Sequence, residues 1–84
     1  MTDRNELSDE ALEQVVGGVR RTVNNVIANY VNVREWPGLD ADNVVYRVYN
    51  GASVYTTGRV HCADGYEWYE LEDGCWIAGS MIGY

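Results

Sequence analysis

Two consecutive glycines, Gly17-Gly18, split this chain of 84 residues and limit what each part can form. Glycine is costly inside a helix and common just past its end. Upstream, Ser8 is a candidate N-cap, with acidic Asp9 and Glu10 in the first turn. Leu12, Val15 and Val16 recur at helical spacing on one face. The spacing predicts a short amphipathic helix over residues 6–16, ended by the glycine pair. Downstream, the pattern changes to short alternating runs broken by turn residues. The expected fold is mainly β: a small five-stranded barrel preceded by that helix.

The upstream stretch resembles the double-glycine leader of bacterial peptide precursors. In that family a peptidase-containing ABC transporter cleaves after the second glycine and exports the remainder. The pattern asks for apolar residues at the fourth, seventh and twelfth positions back from the cleavage point. Val15, Leu12 and Leu7 stand there. Ala11 departs from the Glu that many leaders carry. The resemblance implies a cleavage site at Gly17, Gly18 and Val19. It also implies a leader recognised through Leu7, Leu12, Val15 and Val16 by the transporter's peptidase domain. The chain is then a substrate for processing, not an enzyme. Its product would be made in the bacterial cytoplasm and secreted after leader removal.

Charge narrows the partners. The net charge is −7, and no Lys is present. Asp3, Glu6, Asp9, Glu10 and Glu13 against Arg4 make the leader acidic. Beyond Gly18, eight acids oppose Arg20, Arg21, Arg34, Arg47 and Arg59. Such a chain is ill suited to neutralise nucleic-acid phosphates or to adsorb on anionic lipid. A cationic antimicrobial peptide is disfavoured on the same ground. No apolar run is long enough for membrane insertion. A charged n-region followed by an apolar h-region is also lacking, so export would depend on the double-glycine route.

Residues 19–28 read as a linker. Strands are expected at 30–34, at Val44 to Tyr49, at Ala52 to Thr57, at Tyr66 to Leu71 and at Cys75 to Ala78. Asn50-Gly51 is the strongest hairpin signal, and Gly58 allows a bulge or bend. Ala63-Asp64-Gly65 and Glu72-Asp73-Gly74 supply the remaining turns.

Residues 31–82 resemble a bacterial SH3 domain, which places that domain at 29–84. The opening Asn-Val-Arg strand is Asn32-Val33-Arg34, followed by Pro37-Gly38. A valine-rich strand leads to Gly51, and a second strand leads to Gly58. Ala63-Asp64-Gly65-Tyr66 then precedes Trp68-Tyr69-Glu70-Leu71, and Cys75-Trp76-Ile77 stands for the closing Gly-Trp-Val. Glu35-Trp36 replaces the usual Ser-Gly. The resemblance implies a module that binds peptide or cell wall.

The chemistry-bearing residues favour binding over catalysis. His61 and Cys62 are adjacent on a strand and would face opposite ways. No metal site, cofactor or catalytic residue is assigned. Seven Tyr and three Trp with no Phe favour half-exposed contact surfaces. Trp36 beside the Pro-Gly turn, with Tyr49 and Tyr55, is the candidate ligand-binding set, and Arg34 is expected to fix its loop. For Cys62 and Cys75, export favours a disulfide, but strand register opposes it. With Cys62 opposite Tyr66 and Cys75 opposite Leu71 or Glu70, the sulfurs lie on the order of 15 Å apart, and a bond is not expected.

The functional expectation is an exported precursor. Its mature domain would bind peptidoglycan or a peptide outside the cell, in a bacteriocin-like or signalling role. The alternative is an intracellular SH3-like interaction module with a packed N-terminal helix.

Overall fold

Alternation of apolar and polar residues lays down six strands in the computed structural model, which describes residues 18–84. They are β1 (Val19–Thr22), β2 (Tyr30–Arg34), β3 (Val44–Tyr49), β4 (Ser53–Ala63), β5 (Tyr66–Leu71) and β6 (Trp76–Ala78). Single 3-10 turns form at Ala41–Asn43 and Gly79–Met81. All pairings are antiparallel, in the order β1-β4-β5-β6-β2-β3, and the sheet curls into a half-barrel. The fold is mainly β, as expected. The helix assigned to residues 6–16 lies outside the described residues.

One face of the curl holds the core. Val31 and Val33 alternate inward from β2, and Val54, Leu71 and Ile77 meet them from β4, β5 and β6. Val23 and Ile82 complete the cluster. On the other face, Trp68 pairs with Ala78, and Trp76 pairs with both Glu70 and Arg34. Trp68, Trp76 and Ala78 form a second buried cluster there. The sheet therefore packs apolar groups on both faces.

Two expectations about connectivity change. The stretch 19–28 is not all linker, because Val19–Thr22 pairs residue for residue with Ser53–Thr56. Two arginines in four residues hid this strand: Arg21 turns its guanidinium onto the C-terminal carbonyls instead of into water. The second change is at Asn50-Gly51. The chain turns there, but β3 and β4 form no ladder with each other. β4 already carries β1 on one edge and β5 on the other, which leaves β3 with β2 alone among the described strands.

β4 is longer than the sequence suggests. Gly58 does not end it. At φ +97° this glycine absorbs a register shift between Thr56 and Val60, and the strand continues bent to Ala63. The β4–β5 hairpin closes tightly, with Asp64 and Gly65 both at positive φ. Ala63, not Cys62, therefore stands opposite Tyr66, and Cys62 faces Glu67. Cys75 lies at the far end of β5, where its carbonyl accepts from Leu71 N–H. Both cysteines are free thiols.

Candidate functional site

β2 builds the site. Its outward residues Tyr30, Asn32 and Arg34 stand in a row on the face opposite Val31 and Val33. Across β6, Trp68 and Tyr66 of β5 face the same side, with their rings edge-on at 5.9 Å. With Leu39 these residues border a cleft of about 240 Å³. Trp68 is its buried floor and donates Nε1–H to the Ala63 carbonyl at 2.9 Å. Nothing polar is left unpaired on that indole.

Arg34 is held at the rim. Its Nη1 donates to the Asp40 carbonyl and to Asn43 Oδ1, both at 2.9 Å, and its guanidinium lies 5.7 Å from the Trp68 ring centre. Buried Asn43 in turn donates to the carbonyls of Trp36 and Gly38. The Leu39 N–H donates to Asp64 Oδ2 at 2.8 Å, tying this loop to the β4–β5 turn. Arg34 thus fixes the loop through a backbone carbonyl, as its sequence position suggests. Among the described residues it also contributes the only charge lining the cleft.

A second loop borders the cleft. The Asn25 side chain accepts from Ile27 N–H and donates to the Tyr30 carbonyl. Asn50 accepts from Asn25 N–H at 2.7 Å and donates to the carbonyls of Asn25 and Ala28. Two asparagines therefore replace backbone pairing in residues 25–28. At the tip of this braced loop, Val26 and Ile27 are each 90% exposed.

The aromatic set proposed from sequence is not gathered into one cleft. Trp36, Tyr49 and Tyr55 are exposed, at 44%, 55% and 45%. Trp36 sits on the loop after β2. Tyr49 packs edge-on against Tyr30, with centroids 6.3 Å apart. Tyr55 lines a separate depression with Tyr46, Val48 and Asp73. Leu7, Leu12, Val15, Val16 and Gly17 lie outside the described residues, while Gly18 leads directly into Val19 of β1.

A polar clasp joins β3 to the turn after β5. The Tyr46 hydroxyl and the Cys75 N–H both donate to the Asp73 carboxylate. Burial pushes the Asp73 carboxyl up, but these hydrogen bonds outweigh it and leave it below its ordinary value. Burial and the nearby Asp73 charge push the Cys75 thiol up, which disfavours the nucleophilic thiolate. Among the described residues no group of three or more His, Cys, Asp or Glu is placed to hold a metal. Nor is any helix among them long and apolar enough to cross a membrane.

The cleft escaped sequence reasoning because its parts come from four separated segments. One signal was available: Thr22 to Val33 carries no charge, although it begins on an edge strand and passes through a surface loop. Comparison with protein-family models, with curated proteins and with solved structures gives no match for this chain.

Proposed function

We propose that the chain is the precursor of an exported small protein. A peptidase-containing ABC transporter removes residues 1–18, and the released domain acts as a binding module for peptide or cell wall. The observation that carries this reading is the position of β1. It begins at Val19, the residue after the double glycine, so the proposed cleavage point falls immediately before the first strand among the described residues. The bacterial SH3 assignment belongs to the same proposal. It is supported by the consecutive strands β2 to β6 and by turns where the resemblance expects them, while β1 is an addition to that pattern. The cleft bordered by Tyr30, Asn32, Arg34, Leu39, Tyr66 and Trp68 suits an apolar side chain of a bound peptide, with polar groups at its edge.

Incubation with a cognate peptidase domain tests the first step. The expected product begins at Val19, and Gly18→Val should abolish its release. Cleavage of Gly18→Val at the wild-type rate would refute the assignment. Recovery of a protein beginning at Val19 from culture medium would separate export from the intracellular alternative.

A further inference from the structure

We infer that the domain pairs with a second copy of itself, each copy seating Val26 and Ile27 in the cleft of the other. This rests on the reading of the domain as a binding module and names its partner. It does not depend on leader cleavage.

Three observations carry it. The first is the tip. Two consecutive branched aliphatic residues at 90% exposure are unusual on a small domain, and the loop beneath them is not loose. Asn25 and Asn50 brace it with hydrogen bonds of 2.7–3.4 Å. The projection is therefore held in shape before it meets anything, which lowers the ordering cost of binding.

The second observation is adjacency. Asn25 and Ala28 flank the tip and also line the cleft. Projection and hollow are neighbours on one face. A two-fold axis running between them places each projection opposite the other copy's hollow, so one contact generates its mate and the assembly closes. The cleft, about 240 Å³ with an indole floor and two tyrosine walls, is of a size for one or two aliphatic side chains.

The third is charge. The domain is acidic, and self-association must avoid bringing acids together. Residues 22–33 carry no charge, and no acid among the described residues lines the cleft. Arg34, the one charged group lining it among the described residues, is drawn back onto Asp40 and Asn43. A face of this composition offers little repulsion to its own copy.

The contact is small, so its dissociation constant should fall on the order of 10–100 μM. Sedimentation velocity of the full chain over about 5–500 μM should show the mass rising from 9.5 kDa towards twice that value. Ile27→Glu in the projection and Tyr66→Lys in the cleft wall should each weaken association about tenfold or more. Mixing the two variants should restore it. That pair retains one native projection in one native cleft, and the second contact sets the introduced carboxylate against the introduced ammonium. Near-ultraviolet circular dichroism of each variant checks that the tryptophan environment is intact. A chain monomeric throughout the range overturns the inference. So does a dimer that persists in Ile27→Glu, which would use another surface such as the open edge of β3. So does a mixture that stays monomeric. Binding of purified peptidoglycan fragments by a monomeric chain would remove the second copy as partner and leave the binding-module reading standing.

Discussion

Arg21→Ala should unlock β1 from the rest of the sheet. Arg21 is on an edge strand, yet its Nε donates to the Ile82 carbonyl at 2.9 Å and its Nη2 to the Gly83 carbonyl at 3.0 Å. Its guanidinium also sits 4.3 Å from the centre of Tyr84, which stacks on Tyr69 at 4.0 Å. The hydrogen bonds are partly exposed, so each is worth about 1 kcal/mol. The cation–π contact adds about 0.5–1 kcal/mol at such a site. The expected loss is about 2–3 kcal/mol, which lowers Tm by roughly 10–20 °C in a domain of this size. Arg20 is the internal control, since it is exposed and has no hydrogen bond among the described residues; Arg20→Ala should stay within about 0.5 kcal/mol. Urea unfolding followed by tryptophan emission reads both variants, because Trp68 and Trp76 are buried. Equal losses for the two substitutions, or an Arg21→Ala loss below about 0.5 kcal/mol, would refute the clasp. The measurement bears on processing as well. While β1 is paired, the residue after the proposed cleavage point is held in a ladder, so Arg21→Ala should also speed cleavage of the folded precursor.

Other perturbations should have separable outcomes. Gly79→Ala places a methyl group on the Tyr69 ring and should cost about 1–3 kcal/mol in thermal or urea unfolding. Asn50→Ala removes three hydrogen bonds that brace residues 25–28, and should cost about 1–2 kcal/mol while speeding amide exchange at Ile27 and Ala28. Tyr46→Phe removes a donor that holds the Asp73 carboxyl below its ordinary value. A depressed folded-state carboxyl stabilises above its unfolded pKa of about 3.9 and loses that contribution as pH falls through the folded value. The stability gap between wild type and Tyr46→Phe should therefore be full at neutral pH and narrow in acid. A gap that is constant with pH would contradict this. Trp36→Ala should cost about 1–2 kcal/mol and leave the fold intact, since the indole is 44% exposed and the carbonyl that Asn43 engages is kept. Any loss of wall or peptide binding in that variant would then report on contact with ligand.

Period-two patterning carried the central strands. Val31 and Val33 inward against Tyr30, Asn32 and Arg34 outward is the alternation that the sequence displays. Asp64-Gly65 marked its turn for a local reason, since both residues tolerate positive φ. What failed was tertiary. Nothing local in Val19–Thr22 announces a strand, because the pairing that makes it one comes from Ser53–Thr56. Asn50-Gly51 signalled a hairpin correctly as a turn and wrongly as a ladder, because a turn motif cannot report that the neighbouring edge is already occupied. The tyrosines misled in a similar way. Exposure was legible from alternation, but which exposed rings converge depends on curl and register. Tyr66 and Tyr30, read as ordinary strand residues, border the cleft, while Trp36 and Tyr55 stand apart.

The edge position of β1 connects fold and proposed function. Strands β2 to β6 are consecutive neighbours in the sequence, and they enclose Val31, Val33, Val54, Leu71 and Ile77. β1 joins them through long-range contacts alone: its ladder to β4, Val23 against Ala52, and Arg21 against the C-terminal segment. Contacts of high sequence separation have a large closure entropy and tend to form after local ones. β2 meets β6 at Arg34–Trp76 across at least as much sequence, so closure alone does not rank β1; its place as a short, mostly exposed edge strand is what should let it open first. A segment next to a scissile bond needs that property if a protease is to reach it. Val23, at 1% exposure, shows that docking is nonetheless real burial and not a loose edge. Hydrogen exchange on the full chain discriminates: the amides of β1 that bond to β4 should exchange by sub-global opening, well ahead of those of β2 and β5. If all three exchange together at the global rate, β1 is part of the cooperative core, and cleavage would then have to act on a chain that has not yet folded.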